Sequence, residues 1–310
     1  RHNLNEWKIP LAYDSSNVNR VDSNLVNAIK LFQRSRKIEE DGLPGANTLL
    51  YLNMTHDKLV ELISLNLERI RWLSNNFGED YIFVNVPEFI LRVYDENDVK
   101  VKMKVIVGKE YNPTPIFSDT LKYIVFRPTW TVPQSIIKGE MVAKLKNDPD
   151  HYTKKDFKIY EGDQEINPKS VNWKSSDIES RYFRFVQQPS SSNALGLVKF
   201  IMPNDMSIYL HDTPTDYLFD REERALSHGC VRLEQPAELA TYLLKDVDGW
   251  DEAKVKNSIN EGDTKRVDMK TNYHVQIAYL TTWVNEDGEL KIAEDIYGHD
   301  KRQLEELKAF

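Results

Sequence analysis

The hydrophobic period of the chain changes at Gly78, and this change constrains the fold more than any other feature. Before Gly78, residues 22–36 and 55–78 place apolar side chains at the roughly 3.6-residue spacing of amphipathic helices. After it, the stretches "YIFVNV", "EFILRVYD" and "VKVKMKVIVG" alternate apolar and polar residues, as half-buried strands do. The pattern predicts an α+β protein in which a small N-terminal helical part precedes a β-rich, antiparallel core.

The strand pattern is interrupted once, by residues 131–190. This segment has helix-forming stretches, many Lys and Asp residues and scattered aromatics, but too few periodic apolar positions for a core of its own. We interpret it as an inserted lid subdomain that covers a groove of the β-rich part. The predicted domains are a helical domain at 1–55 and a second domain at 56–310, which includes a connector helix at 56–77 and the insert.

Composition excludes several classes of function. The 310 residues carry a net charge of -8, which disfavours nucleic-acid binding because phosphates need clustered Lys and Arg. No apolar run approaches the ~18 residues that a membrane span needs. The first residues, "RHNLNEWKIP", lack the basic start and apolar stretch of a secretion signal, so a cytoplasmic, mature or trimmed chain is expected. A single cysteine allows no internal disulfide.

The only cysteine lies at the end of "HDTPTDYLFDREERALSHGC", residues 211–230. His211 ends a predicted strand with its side chain opposite the apolar face, and the loop after it is long enough to bring the chain back. Gly229 permits a sharp turn just before Cys230. A nucleophilic thiol needs a base and hydrogen-bond donors for an oxyanion. The stretch supplies Cys230 as nucleophile, His211 or His228 as base, and the amides of Gly229 and Cys230 as donors.

Two other interpretations of this stretch stay open on the residues alone. A lone cysteine is often a small buried hydrophobe, with structural histidines beside it. The set His211, Asp212, His228 and Cys230 also contains the ligand types of a zinc site. No CxxC or HxxxH pair fixes two ligands at close spacing, so zinc is the weaker alternative.

The same residues resemble a known family. "SHGCVRL" at 227–233, preceded by "HDTP" at 211–214, resembles the His and Ser/Thr-His-Gly-Cys signature of the YkuD family of L,D-transpeptidases. "RPTWTVPQSI" at 127–136 and the C-terminal sequence "AYLTTWVNEDGELKIAEDIYGHD" resemble the large YcbB-like branch of that family. Residues 22–53 are similar to the peptidoglycan-binding domain type 1, which would either bind glycan or pack on the rest of the chain.

The resemblance implies a peptidoglycan L,D-transpeptidase that forms 3→3 crosslinks between stem peptides through a cysteine thioester, without a metal or a cofactor. It implies Cys230 as the nucleophile, His211 as the base and the backbone carbonyl of Asp212 as the group that orients the imidazole. His228 and Gly229 would shape the oxyanion hole. The alternatives are an L,D-carboxypeptidase of the same family, which releases D-Ala by passing the acyl group to water, and a non-catalytic wall-binding protein.

On the substrate side, we predict that Arg232 and Arg224 pair with stem carboxylates and that Ser227, Tyr209 and Trp130 line the groove. The partners that the resemblance implies are donor and acceptor stem peptides, with carbapenem-type β-lactams as inhibitors. It also implies an extracytoplasmic, periplasmic location, with the signal or anchor absent from this chain.

Overall fold

The computed structural model describes residue 9 and residues 21–73, 78–178 and 180–308. These residues form two compact units. One unit holds residues 78–278, and the other takes residues 21–73 and 279–308 from the two ends of the chain. Both helices and strands are present, so the predicted α+β class is confirmed. Residues 1–8 and 10–20 of the predicted N-terminal domain lie outside the described residues.

The unit at 78–278 is built on a nine-stranded sheet and a smaller four-stranded sheet. Its strands are β1 (Tyr81–Asn85), β2 (Ile90–Asp95), β3 (Asp98–Gly108), β4 (Phe117–Phe126), β5 (Trp130–Thr131), β6 (Phe157–Glu161), β7 (Gln164–Glu165), β8 (Phe183–Gln187), β9 (Val198–Ile201), β10 (Leu210–His211), β11 (Ala225–Ser227), β12 (Val231–Leu233) and β13 (Lys265–Ala278). The order across the large sheet is β11-β3-β12-β10-β9-β4-β13-β1-β2. Most neighbours are antiparallel, as predicted, whereas β1 with β13, β10 with β12 and β3 with β11 are parallel.

The alternation that predicts these strands also builds the core. Along β3, Val101 and Met103 are buried while Lys100 and Lys102 are exposed. From residue 105 to residue 108 every position is buried, which means that both faces of this end of β3 are covered, and β11 and β12 pair with its two edges. The loop that follows β3 is therefore held beside the strands on either side of the "SHGC" turn.

Two helices follow β12, at Pro236–Leu243 and Glu252–Asn260. The second helix is capped by Asp251, whose carboxylate accepts a hydrogen bond from the Lys254 amide at 2.7 Å. A 3-10 helix, Asp216–Asp220, lies in the loop between β10 and β11. This loop is the connection that brings the chain from His211 back towards Cys230.

The insert at 131–190 has a core of its own, so the expectation that it lacks one is wrong. Strands β5, β8, β6 and β7 form its four-stranded sheet in that order. Its helical turns are Gln134–Ile136, the π-helical Ile137–Met141, Val142–Leu145, Thr153–Lys155 and Pro168–Ser170. Its buried side chains are Val132, Ile137, Met141, Val142, Leu145, Tyr152, Phe157, Ile159, Trp173, Ile178, Phe183 and Phe185. Large aromatic side chains supply much of this core without requiring a regular period.

The unit formed by the two chain ends is mainly helical. Its helices are Ser23–Arg36, Ala46–Leu52, His56–Trp72 and His299–Lys308, and a hairpin joins β14 (Thr282–Val284) to β15 (Leu290–Ile292). The first helix is capped by Asp22, which accepts a hydrogen bond from the Leu25 amide at 2.8 Å. Side chains from the helices and the hairpin share one core, which consists of Ala28, Ile29, Phe32, Tyr51, Leu52, Met54, Leu62 and Ile292.

The helix His56–Trp72 belongs to this same unit. Leu62 lies in its core, and a buried ion pair joins Arg69 Nη1 to Asp300 Oδ1 at 2.5 Å. The compact units therefore do not divide at residue 55, where the predicted domain boundary lies. Residues 74–77 of the predicted connector lie outside the described residues. Among the residues that are described, no helix is both long enough and apolar enough to cross a membrane.

We expect Phe185→Ala to lower the free energy of unfolding of the insert by about 3–5 kcal/mol, because the ring is fully buried and its removal leaves a cavity. Hydrogen exchange of the insert amides measures this change. Tyr182→Ala is the control, because Tyr182 is 61% exposed and its loss should change stability by less than about 0.5 kcal/mol. Equal effects of the two substitutions would contradict the described core.

Candidate active site

His211 is placed by a strand of only two residues. β10 lies between β9 and β12, and its register sets His211 opposite Lys199 on one side and Arg232 on the other. Directly opposed residues on neighbouring strands project from the same face. The structure therefore puts two cationic side chains beside His211, one from each neighbouring strand.

The predicted strand at 206–211 is shorter in the structure because the backbone is left-handed at Ser207, where φ is 57°. Asn204 replaces the missing ladder bonds, since its side chain donates to the carbonyls of Met202 and Ile208 at 2.8 Å and accepts from the Ile208 amide at 3.0 Å. The irregular backbone brings the Ser207 carbonyl to 3.7 Å from Sγ of Cys230.

The imidazole of His211 is buried and oriented by the backbone. Nδ1 lies 2.5 Å from the carbonyl oxygen of Asp212, so Nδ1 carries the proton and Nε2 is left as an acceptor. Burial lowers the pKa of His211 to about 3. The charges of Arg232 and Lys199 also lower this pKa, whereas the hydrogen bonds to the backbone of Asp212 and Leu195 raise it. The imidazole is therefore neutral at physiological pH.

The Asp212 carboxylate fixes the backbone that holds His211. Its oxygens accept hydrogen bonds from the amides of Leu197 and Thr213, each at 2.7 Å. Gly196 makes this approach feasible, since it has a φ of 61° and a Cβ there would lie 2.3 Å from the Asp212 carboxylate. Asp212 thus fixes the geometry of its own main chain, whose carbonyl oxygen lies against Nδ1 of His211.

The "SHGC" turn is closed by Ser227. Its hydroxyl donates to the carbonyl of Cys230 at 2.6 Å and accepts from the amide of Gly229 at 3.1 Å. Gly229 has a φ of 113°, a conformation that favours glycine. The Gly229 amide is therefore already engaged, while the Cys230 amide donates to no acceptor among the described residues. Ser227 is buried and its hydroxyl holds the turn, so this side chain is not among the substrate contacts that we propose.

The thiol of Cys230 is half-buried and protonated at neutral pH. Burial raises its pKa above the ordinary value, although hydrogen bonds from the backbone and hydroxyl of Tyr209 and the charges of Lys199 and Arg232 oppose this shift. The Tyr209 hydroxyl also interacts with the side chain of Trp130. The structure thus brings the predicted Tyr209 to the thiol and the predicted Trp130 to the Tyr209 hydroxyl.

Lys199 is a site residue that the sequence analysis missed. Its Nζ lies 3.8 Å from the centroid of the Tyr209 ring, a cation–π contact, and its charge acts on Cys230. Burial lowers the pKa of Lys199. The available signal was the alternation of "LVKFI", which puts Lys199 on the polar face of its strand.

The two predicted arginines differ. Arg224 is buried and donates to the carbonyls of Val105, Arg221 and Phe89 at 3.2, 2.7 and 3.2 Å. Its guanidinium binds these backbone carbonyls, which corrects the prediction that Arg224 pairs with a stem carboxylate. Arg232 is half-buried beside His211, and its Nη1 lies 3.5 Å from the Thr215 hydroxyl. Its Nε is buried without a hydrogen-bond partner in the described part of the chain.

His228 turns towards the insert. Its Nε2 lies 2.9 Å from Oε1 of Glu140, which belongs to the π-helical turn Ile137–Met141. The hydrogen bond to His228 lowers the pKa of Glu140. His228 is thus paired with a carboxylate of the insert. Glu140 is a second residue that the sequence analysis missed, because 88 residues separate it from His228 in sequence.

The four residues of the zinc alternative do not converge. The Asp212 carboxylate is bonded to two amides, Nδ1 of His211 to a carbonyl and Nε2 of His228 to Glu140. No group of three or more His, Cys, Asp or Glu side chains is arranged to hold a metal ion within the described ranges.

Comparisons with known proteins agree on one family. The family model of the YkuD L,D-transpeptidase catalytic domain matches residues 79–268. A Haemophilus influenzae protein described as an L,D-transpeptidase is 34% identical over 245 residues, which make up 79% of this chain and 49% of that protein. This chain therefore spans about half the length of that curated relative.

An L,D-transpeptidase from Mycobacterium smegmatis superposes with a TM-score of 0.30 at 13% identity, over 64% of this chain and 58% of that one. The L,D-transpeptidase LdtMt1 in complex with imipenem superposes with a TM-score of 0.28 at 13% identity, over 64% and 59% of the two chains.

We expect alkylation of Cys230 by iodoacetamide to accelerate by about tenfold per pH unit from pH 6 to pH 9, because the thiolate reacts and its pKa is raised. The single cysteine makes the intact mass of the protein an unambiguous measure. A small thiol of ordinary pKa, alkylated in parallel, is the control. An inflection below pH 8 in the alkylation rate would mean that Cys230 and His211 form a thiolate–imidazolium pair at rest. That result would contradict the neutral thiol and neutral imidazole described above.

Proposed function

Because this chain belongs to the YkuD family of L,D-transpeptidases, we propose that it joins peptidoglycan stem peptides by 3→3 crosslinks, with Cys230 as the nucleophile. An enzyme of this general kind follows from the family, whose members depend on a cysteine. One observation carries the residue assignment. The Asp212 carbonyl accepts the Nδ1–H of a buried, neutral His211, so Nε2 is the nitrogen that can take up a proton, and the charges of Lys199 and Arg232 act on both this imidazole and the thiol.

In the acylation step, Sγ of Cys230 attacks the carbonyl carbon of the third, diamino-acid residue of a donor tetrapeptide. The thiol proton passes to Nε2 of His211, and the carbonyl oxygen becomes an oxyanion. The bond from this carbon to the nitrogen of the terminal D-Ala then breaks. The imidazolium returns the proton to the departing amine, and a thioester remains on Cys230.

In the transfer step, the side-chain amine of a second stem attacks the thioester carbonyl. His211 accepts a proton from this amine, the carbon–sulfur bond breaks, and the sulfur recovers the proton as a thiol. The new amide is the 3→3 crosslink. If water replaces the amine, the same chemistry releases a tripeptide, which is the carboxypeptidase alternative.

We assign the oxyanion to two donors, the Cys230 amide and the Tyr209 hydroxyl. The amide has no other acceptor among the described residues, and the hydroxyl is already bonded to the sulfur. Preorganised donors of this kind stabilise the charge that develops in the transition state. The role predicted for Gly229 becomes one of turn geometry, since its amide is engaged by Ser227.

We assign the carboxylates of the stem peptides to Arg232 and Lys199. No carboxylate pairs with either cation within the described part of the chain, and both lie next to His211 in the sheet register. A guanidinium accommodates a carboxylate in a bidentate manner. Trp130 would line the groove next to Tyr209.

We further propose that the chain belongs to the YcbB-like branch and that residues 22–53 are a peptidoglycan-binding type 1 domain. The proposed location is extracytoplasmic, in the periplasm, where the substrate is. Carbapenem-type β-lactams would acylate Cys230, because their strained carbonyl meets the same nucleophile and the same donors. These proposals rest on the resemblance of the sequence rather than on the geometry of the site.

The insert is proposed as a lid that is tied to the "SHGC" turn through Glu140 and His228. This hydrogen bond joins the insert to the loop that carries the nucleophile. Closure of a lid excludes water, which favours the amine acceptor over hydrolysis. A core of its own allows the insert to move as one body.

Purified disaccharide-tetrapeptides test the proposed function directly. We expect the protein to convert them to crosslinked dimers detected by mass spectrometry, and Cys230→Ala to form none because no thioester can form. Circular dichroism checks that this variant is folded. A tripeptide as the only product would favour the carboxypeptidase, and crosslinking by the pure variant would remove Cys230 from the mechanism.

Glu140→Gln tests the lid. We expect the amides of residues 134–145 to gain protection from hydrogen exchange when a carbapenem acylates the wild-type protein, and the variant to lose most of this gain. Glu165→Gln is the matched control, because Glu165 lies in the same insert and pairs with Lys158 rather than with the turn. Equal protection of wild type and Glu140→Gln, in both states, would leave the insert as scaffold.

A further inference from the structure

We propose that the buried hydroxyl of Thr114 aims and polarises the Cys230 amide, the oxyanion donor, and so acts as a positioning residue for acylation. This inference rests on the proposed acyl transfer at Cys230. Thr114 lies in the loop between β3 and β4, 116 positions before the nucleophile in sequence, and only 1% of its surface is exposed.

The hydroxyl is the middle member of a chain of hydrogen bonds. The Gly108 amide donates to Oγ1 of Thr114 at 2.8 Å, and Oγ1 donates its own proton to the carbonyl of Gly229, also at 2.8 Å. Because the incoming N–H occupies one side of Oγ1, the hydroxyl proton is directed to the Gly229 carbonyl. The direction of both bonds is therefore fixed by the main chain on either side.

The Gly229 carbonyl and the Cys230 amide belong to one peptide unit. This unit is planar, and in the trans form its C=O and N–H point in opposite directions. A hydroxyl that holds the carbonyl therefore sets the direction of the N–H. Hydrogen bonds in series also polarise one another, so the bond from Thr114 makes the Cys230 amide a stronger donor.

The loop is built for this contact. A Cβ at Gly108 would lie 2.1 Å from the carbonyl oxygen of Asn112 and 2.7 Å from the amide of Thr114, so only glycine lets the loop fold back on β3. The Lys109 amide donates to the carbonyl of Ser227 at 3.0 Å and ties the loop to the start of the turn. Ser227 then holds the other end of the turn through the Cys230 carbonyl.

Glycine at position 229 needs such support more than other residues do. Its φ of 113° is a conformation that glycine adopts among many others, so the residue itself does not fix the peptide that follows. A mis-aimed donor costs rate even when the thiol is intact, because stabilisation of the oxyanion depends on its distance and direction. Thr114 supplies the constraint that Gly229 lacks.

The test separates attack on a carbonyl from reactivity of the thiol. Acylation of Cys230 by imipenem forms an oxyanion, whereas alkylation by iodoacetamide needs the thiolate but no oxyanion donor. Both rates are measured by intact mass at pH 9. We expect Thr114→Val to slow acylation by roughly 10- to 100-fold, below the loss of about 10²–10³ for a deleted oxyanion donor, and to leave alkylation within about twofold.

Thr114→Ser keeps the hydroxyl and should keep most of the acylation rate. Thr114→Ala differs from it only by that oxygen and should behave like the valine variant, which keeps the test valid if the valine does not fit. Thr282→Val, a buried threonine in the other unit, is the matched control and should leave both rates unchanged.

Three outcomes overturn the inference. The first is an equal rate of acylation in the serine and alanine variants, and the second is a parallel loss of acylation and alkylation. The third is that only the hydroxyl-bearing variants fold, which would make Thr114 a purely structural residue. A wild-type protein that imipenem and tetrapeptides leave unmodified would overturn the proposed function itself. A wild-type protein that is acylated no faster than Thr114→Val overturns only the role of Thr114.

Discussion

The register of β9, β10 and β12 is the constraint on which the site depends. Leu210 faces Phe200 and Val231 in this register, and all three side chains are fully buried. The next position along β10 is His211, so the packing of the apolar row fixes the polar row beside it. A slip of one residue would exchange the faces and bury the imidazole in the core. Hydrophobic packing thus determines the placement of His211, the proposed base, although β10 contains only two residues.

The electrostatics of the site favour a neutral resting pair. Burial opposes charge on both Cys230 and His211, which raises one pKa and lowers the other. The flanking cations are not symmetric in effect, since positive charge stabilises a thiolate and destabilises an imidazolium. The sulfur is therefore helped when it becomes negative during attack. In the proposed mechanism, the lowered pKa of His211 favours delivery of its proton to the leaving amine.

The sequence was most informative where the controlling interactions are local. The strand alternation and the glycine turn predicted His211 and Cys230 as the centre of the candidate site, because period and φ preference act over a few residues. Lys199 and Glu140 were missed because contacts between distant parts of the sequence place them near the site. The register of β9 with β10 places Lys199 opposite His211, and Glu140 contacts His228 although 88 residues separate the two. Arg224 was misassigned because its residue type suggests a carboxylate partner, whereas its burial is set by the distant strand β3. The core of the insert was missed since aromatic side chains build it without a regular period.

No carboxylate of the described residues pairs with Lys199 or Arg232, and in the proposed reaction these two cations favour anionic donors. Burial lowers the pKa values of Lys199 and Arg232, which means that the folded protein holds both charges at an energetic cost. Leucine or methionine at these positions would remove that cost, so stability does not explain the two cations. For the proposed reaction, a carboxylate of the donor stem relieves the cost when it binds, whereas an amidated stem of the same shape does not. Discrimination then arises from the unfavourable charge of the free site as much as from new contacts, because a neutral competitor leaves both cations desolvated and unpaired.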